Sequence, residues 1–252
     1  FTAIMSMIKV MYAVFGLSCK ARLSLRDDCD AYLGAVETWR VAQETIEHVA
    51  KKLELDYFVE EGEAAFYGPK IDIMATDAIG RTWQLATEQL DFVQPERFSL
   101  TYADSDGSEK RPVMIHKALL GSIERVLSVY IEHTAGKFPV WLAPEQIRII
   151  TVNQEEETVT FADKVIEQAK DLGLRVHLDN DNESVGKKIR SSELMKVPYT
   201  IVIGEKEIAS GQVVPRVRAD MEVQTPHQSH GVEEFLKTVA NEAKGRVSKT
   251  SL

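Results

Sequence analysis

Between residues 66 and 125 the chain sets a tyrosine, a lysine, two glutamines, a threonine, a histidine and an arginine among apolar or turn-forming neighbours. Tyr67 and Lys70 flank Gly68-Pro69, a pair that fixes a tight turn and projects a phenol and a mobile point charge. The run Trp83-Gln84-Leu85-Ala86-Thr87-Glu88-Gln89-Leu90-Asp91-Phe92 carries amides and a hydroxyl at central positions, which packing alone does not require. Regular alternation along it predicts Gln84, Ala86, Glu88 and Leu90 on one face, with Leu85, Thr87, Gln89 and Asp91 on the other. His116 closes the apolar stretch Val113-Met114-Ile115, and Arg125 follows Gly121-Ser122-Ile123-Glu124. An arginine on the first turns of a helix can hold a polyphosphate with its fork of donors, and a histidine at a strand end can ligate a metal. Each residue also has a plain structural role open to it: a packed tyrosine in a hairpin, a satisfied core histidine, a helix-capping serine and a surface arginine.

The elements that must position these residues are legible from periodicity. Ile4, Ile8, Met11 and Phe15 recur at helical spacing before Gly16. Cys19, Ala21, Leu23 and Leu25 alternate as in a half-buried strand, and Trp39 to Leu53 returns to helical spacing within Thr38–Leu53. Strands are predicted at 56–60, 70–76 and 82–92, a helix followed by an antiparallel meander, with a fourth strand at 113–116 feeding a helix over 118–134. In Ala135–Pro144 two prolines and a glycine bracket Trp141 and break the pattern. Beyond it strand and helix alternate: strand 147–152, helix 158–172, strand 174–178, helix 185–196, strands 199–203 and 212–217, and helix 232–244, with a loose tail from Arg246.

Composition narrows the class. A chain of 252 residues with 44% apolar residues suggests two packed domains. Cys19 and Cys29 form no Cys-x-x-Cys pair, so neither a disulfide framework nor a self-contained zinc module is indicated and a reduced, cytoplasmic setting is expected. The apolar first 17 residues lack a basic leader and are short for a membrane span, so no membrane association is expected. A net charge of −9 argues against DNA binding over the whole surface. Between Glu183 and Arg218, however, seven bases outnumber four acids, which leaves room for a local nucleic-acid patch. Neither a Gly-x-Gly-x-x-Gly nor a P-loop sequence is present, which removes the dinucleotide and P-loop readings.

Gly121-Ser122-Ile123-Glu124-Arg125 resembles motif 3 of class II aminoacyl-tRNA synthetases. Together with Ala65 to Ile71, Gln84 to Phe92, Pro112 to His116 and Ala135 to Pro144, it makes the chain similar to the threonyl family over nearly its whole length. The resemblance implies an α+β / α/β architecture: part of an antiparallel class II catalytic domain at 1–143, an α/β anticodon-binding domain with a mixed sheet at 144–246, and a tail at 247–252. It implies ATP-dependent activation of threonine and its transfer to tRNA, with magnesium accompanying ATP. Lys70 and Arg125 are then expected to act on the phosphates, Gln84, Thr87 and Ser122 to bind ATP, and Tyr67 and Gln89 to face threonine. His116 is expected to be one of three protein ligands of a zinc ion that binds the amino and hydroxyl groups of threonine. The other two ligands, like motifs 1 and 2, are not found in this sequence, and His227 and His230 lie in a loop of the other domain. The sequence alone is therefore expected to be catalytically incompetent, and the whole enzyme to be a homodimer. Asn182, Arg190, Glu207 and Arg216 match positions that read the anticodon. Leu85 and Ala86 depart from the family's Cys-Gly, and the Ala86 methyl is expected where backbone runs close to ligand. A non-catalytic tRNA-binding relative, or a prolyl or glycyl enzyme, is the alternative; Tyr67-Gly68-Pro69-Lys70 and Val113-Met114-Ile115-His116 disfavour the latter.

Overall fold

A computed structural model describes residues 1–221, 228–247, 250 and 252, so His227 of the histidine pair lies outside the described residues. The chain divides into two units, Phe1–His133 and Thr134–Leu252.

The first unit runs α1 (Thr2–Phe15), β1 (Cys19–Leu25), α2 (Val36–Lys52), β2 (Tyr57–Glu61), β3 (Lys70–Thr76), β4 (Thr82–Asp91), α3 (Val93–Arg97), β5 (Tyr102–Ala103), β6 (Glu109–Lys110), β7 (Met114–Ala118) and α4 (Ile123–Thr134). Five strands form one sheet in the order β2-β1-β3-β4-β7. The expected meander holds for β3 to β4 and β7, but β2 is not part of it: β2 lies at the sheet edge, parallel to β1. The cause is α2, a full crossover between β1 and β2, which parallel neighbours require. One face of the sheet is apolar, where Ala21, Leu23, Ile71, Ile73 and Ala86 are buried, with α1 packing on β4 and α2 on β1. Trp39 of α2 is fully buried, its indole N–H donating to Leu33 O and its ring edge-on to Phe92. No helix among the described residues is long and apolar enough to cross a membrane.

Two local features escaped periodicity. The short α3 is set by Asp91, whose Oδ1 accepts from the backbone N–H of Val93 and Gln94. The helix expected from Ala118 begins at Ile123, because β7 continues to Ala118 and Gly121 turns the chain at φ +63°.

The second unit runs β8 (Ile147–Thr151), α5 (Glu156–Asp171), β9 (Val176–Asp179), α6 (Val185–Leu194), β10 (Tyr199–Ile203), α7 (Glu205–Ser210), β11 (Gln212–Val213), β12 (Arg216–Val217), β13 (His230–Gly231) and α8 (Val232–Gly245). Its main sheet is mixed, ordered β12-β10-β8-β9, with β8 parallel to β9 and β10 and β12 antiparallel to β10. Ile147, Ile149, Tyr199, Ile201, Phe235 and Val239 centre its core. The single strand expected over 212–217 is instead two short strands in different sheets, split at buried Pro215, which has no N–H to extend a ladder. The tail expected to be loose is anchored at two points: Thr250 and Leu252 are buried, and the Tyr199 hydroxyl donates to Thr250 at 2.8 Å.

Candidate active site

The polar face of the five-stranded sheet carries the residues that the sequence singled out. Cross-strand register places Ser24, Lys70, Gln89 and His116 in one row across β1, β3, β4 and β7, and Arg22, Asp72, Thr87 and Ala118 in the next. Rows two residues apart along a strand lie roughly 7 Å from one another.

Gln84 reaches this face by an irregularity. The β3–β4 register pairs Ile73 with Ala86 but Met74 with Gln84, so Leu85 is an extra residue, a β-bulge. The predicted alternation therefore fails at one point: Gln84 joins Thr87, Gln89 and Asp91, and both Gln84 Nε2 and Thr87 Oγ1 donate to Asp72 Oδ1 at 2.7 Å. Ala86 turns the other way, 1% exposed opposite Ile73, so its methyl enters the packed face and not the polar one.

Asp72 is the hub that the sequence reading missed. It is fully buried, and its Oδ2 accepts from Ser24 Oγ at 2.7 Å, Arg22 Nη2 at 3.0 Å and Lys70 Nζ at 2.8 Å. Burial alone would raise this carboxyl, but the donors Lys70, Thr87 and Ser24 outweigh it and hold it below the usual carboxylate range. Arg22 also meets Glu60 at 3.1 Å, Glu63 at 3.3 Å and Gln84 Oε1 at 3.3 Å. The available signal was an acid between two isoleucines in Ile71-Asp72-Ile73, opposite a strand whose polar positions are Lys20, Arg22 and Ser24.

At the other end of the face, the Tyr67 hydroxyl donates to Gln89 Oε1 at 2.7 Å, and the Tyr67 ring stands edge-on to His116 with centroids 5.6 Å apart. Burial and the Asp91 charge push the Tyr67 phenol up, so it remains a donor. That leaves the Gln89 amide N–H₂ to meet a ligand acceptor. His116 Nε2 lies 2.8 Å from Asp91 Oδ2, a buried carboxylate that fixes the ring and leaves Nδ1 as its open atom. One imidazole does not hold zinc, and no group of three His, Cys, Asp or Glu residues suited to a metal occurs among the described residues. Among the described residues, His116 is thus placed as a single ligand to be contributed to a metal.

Two glycines make these arrangements possible. A Cβ at Gly68 would lie 1.9 Å from Leu90 O, and one at Gly121 2.6 Å from Leu85 O. Gly121 thus packs the start of α4 on the bulge, where Arg125 Nη1 donates to Gln84 O at 3.1 Å. Ser122 caps the helix, its Oγ accepting from Arg125 N at 3.1 Å.

The four residues singled out in the second unit are not gathered in one hydrogen-bonded cluster. Asn182 lies in the loop before α6, and Arg190 is exposed on α6. Glu207 of α7 accepts from Gly204 N at 3.0 Å, and Arg216 of β12 lines a groove of about 410 Å³ with Lys137, Glu193, Lys196 and Arg218.

The family profile of the tRNA synthetase class II core domain (G, H, P, S and T) matches residues 2–134, more than half of the chain. The chain belongs to the class II aminoacyl-tRNA synthetases. The profile of the anticodon binding domain matches residues 146–242 of this synthetase chain. It is 40% identical over 248 residues to a threonine–tRNA ligase of Clostridium tetani, covering 98% of this chain and 38% of the relative. It is 50% identical over 203 residues to one of Gloeobacter violaceus, covering 80% of this chain and 32% of the relative. The crystal structure of the RNA binding domain of threonyl-tRNA synthetase from Cryptosporidium parvum superposes with TM-score 0.86 at 34% identity, over 99% of this chain and 60% of that one. The synthetase chain therefore spans about two fifths of the length of the Clostridium relative.

Proposed function

We propose that this chain carries part of the active site and the anticodon-reading domain of a threonine–tRNA ligase, with the catalytic part at 1–143 and the anticodon-binding part at 144–246. The observation that carries the reading is the pairing, on one sheet face, of the Tyr67–Gln89–His116 cluster with the Lys70–Asp72–Gln84–Thr87 network. A non-catalytic relative needs no such double site. Tyr67-Gly68-Pro69-Lys70 and Val113-Met114-Ile115-His116, together with relatives named threonine–tRNA ligase, favour the threonyl over the prolyl or glycyl reading.

In this reading the carboxylate of threonine attacks the α-phosphorus of magnesium-bound ATP, giving threonyl-adenylate and pyrophosphate. A hydroxyl of the terminal ribose of threonine tRNA then attacks the adenylate's carbonyl, taking the threonyl group and releasing AMP. Lys70 and Arg125 counter the charge on the phosphates, an electrostatic and positional role that needs no covalent intermediate. Gln84, Thr87 and Ser122 line the ATP side. Tyr67 and Gln89 face threonine, with the Gln89 amide N–H₂ presented and its oxygen engaged by Tyr67. His116 would contribute one of three ligands to a zinc ion, which when bound would supply a Lewis acid for the amino and hydroxyl groups of threonine; valine lacks that hydroxyl. Asn182, Arg190, Glu207 and Arg216 read splayed anticodon bases through amide, guanidinium and carboxylate groups. The enzyme works as a cytoplasmic homodimer.

The test is ATP–pyrophosphate exchange by the protein expressed from its complete coding sequence. Exchange should depend on threonine and not on proline or glycine, and Arg216→Ala should weaken tRNA charging while leaving exchange intact. The 252 residues on their own should give no exchange. Exchange driven by another amino acid, or by none, overturns the reading.

A further inference from the structure

Resting on the reading of this face as an ATP site, we propose that Asp72 is its positioning residue, presetting Lys70, Gln84 and Thr87 and, through the bulge at Leu85, Arg125. Asp72 is fully buried and receives five donors, from Arg22, Ser24, Lys70, Gln84 and Thr87, all within 3.0 Å. A carboxylate offers about four lone-pair sites, so this one is saturated, and neither a protonated acid nor an amide can accept the same set.

Its grip has a direction. The Gln84 amide has no freedom to flip, because Nε2 donates to Asp72 Oδ1 and Oε1 accepts from Arg22 Nη2. The Gln84 carbonyl in turn accepts from Arg125 Nη1, and the next residue, Leu85, presents the carbonyl on which Gly121 packs. A continuous path therefore leads from the Asp72 carboxylate through Gln84 to the guanidinium that begins α4. Lys70 is tied separately, at 2.8 Å, with its side chain only 12% exposed. Arg22 is matched by three carboxylates, Asp72, Glu60 and Glu63, and so serves as a brace within the network.

The cluster at the far end is independent of this carboxylate. Tyr67 is bonded to Gln89, and His116 to Asp91, and the hydrogen bonds of Asp72 go to none of the four. Disturbing Asp72 should consequently affect the two substrates unequally. In Asp72→Asn the amide nitrogen would face donors, and Lys70 would lose its anchor.

The experiment is steady-state ATP–pyrophosphate exchange by the protein expressed from its complete coding sequence, as wild type, Asp72→Asn and Asp72→Glu. The expected result is a KM for ATP raised roughly tenfold or more in Asp72→Asn, with the KM for threonine changed less than twofold, and partial recovery in Asp72→Glu, which restores the carboxylate. A purely structural role would lower the active fraction, and so kcat, with both KM values intact. That outcome, or equal increases in both KM values, overturns the proposal. Should Asp72→Asn fail to fold, Asp72→Glu decides alone: an ATP KM within twofold of wild type after a shift of the carboxylate by one methylene counts against it. Wild-type protein without threonine-dependent exchange would defeat the functional reading instead, which separates the two failures.

Discussion

Gly121 joins backbone conformation to the chemistry of the site, and replacing it with alanine separates the parts of that argument. Two costs add. The residue sits at φ +63°, where a Cβ costs about 1 kcal/mol. The new Cβ would also lie 2.6 Å from Leu85 O, against an ordinary carbon–oxygen approach of about 3.3 Å, so turn and bulge must part by roughly 0.7 Å. Overpacking of that kind adds about 1 to 2 kcal/mol, for a total of roughly 2 to 3 kcal/mol. At about 3 to 4 °C per kcal/mol for a unit of this size, Gly121→Ala should lower the melting temperature of the first unit by roughly 6 to 12 °C. The assay is thermal unfolding by circular dichroism, with Gly186→Ala as control. Gly186 lies within α6 with nothing within 4 Å of its added Cβ, so that variant should be neutral or slightly stabilised. A Gly121→Ala protein melting within about 1 °C of wild type would refute the packing of the turn on the bulge.

Other consequences can be measured directly. Glu88 is fully buried with no hydrogen-bond partner among the described residues, and burial pushes its carboxyl up to about 7 from an ordinary value near 4.5. Since the folded value is the higher one, this group's contribution to stability is greatest below pH 4.5 and falls as pH rises through about 7, by up to about 3 kcal/mol. Urea unfolding at pH 5 and pH 8 should show Glu88→Gln to be the more stable protein at pH 8 and nearly equal to wild type at pH 5; a pH-independent difference would contradict this. Tyr199→Phe removes the hydroxyl that bridges Glu242 and Thr250 and should destabilise the second unit by about 1 to 3 kcal/mol, read from the denaturant midpoint at constant slope.

The two units were legible in the sequence to different depths, for physical reasons. Thr87 and Gln89 stood out because polar side chains at the centre of a strand are conspicuous, His116 because it closes an apolar stretch, and Tyr67 and Lys70 because they flank Gly68-Pro69. Gln84 was assigned to the wrong face because a bulge leaves no mark in hydrophobicity: Leu85 is as apolar as a regular strand residue would be. Asp72 escaped because its partners come from β1, β3 and β4, and its role exists only once those strands are in register. The placement of β2 beside β1 depends on the α2 crossover, a long-range fact that local patterning does not carry. The short helix α7 was passed over because its six residues give too little periodicity, although Gly204, Glu207 and Gly211 mark both of its ends.

The bulge gives β4 two reading frames for its side chains, one before Leu85 and one after it. Loss of Glu88 would leave Gln89 and Asp91 in place but turn Thr87 toward the packed side and Ala86 toward the polar one, because the frame upstream of the cut inverts. Loss of Leu85 itself would keep Gln84, Thr87, Gln89 and Asp91 all on the polar face, since the strand would then alternate without interruption. The fate of a deletion in this strand is thus set by parity and not by the chemistry of the residue removed, and at Leu85 or Ala86 the strand can lose a residue while the facing of Gln84, Thr87, Gln89 and Asp91 is conserved.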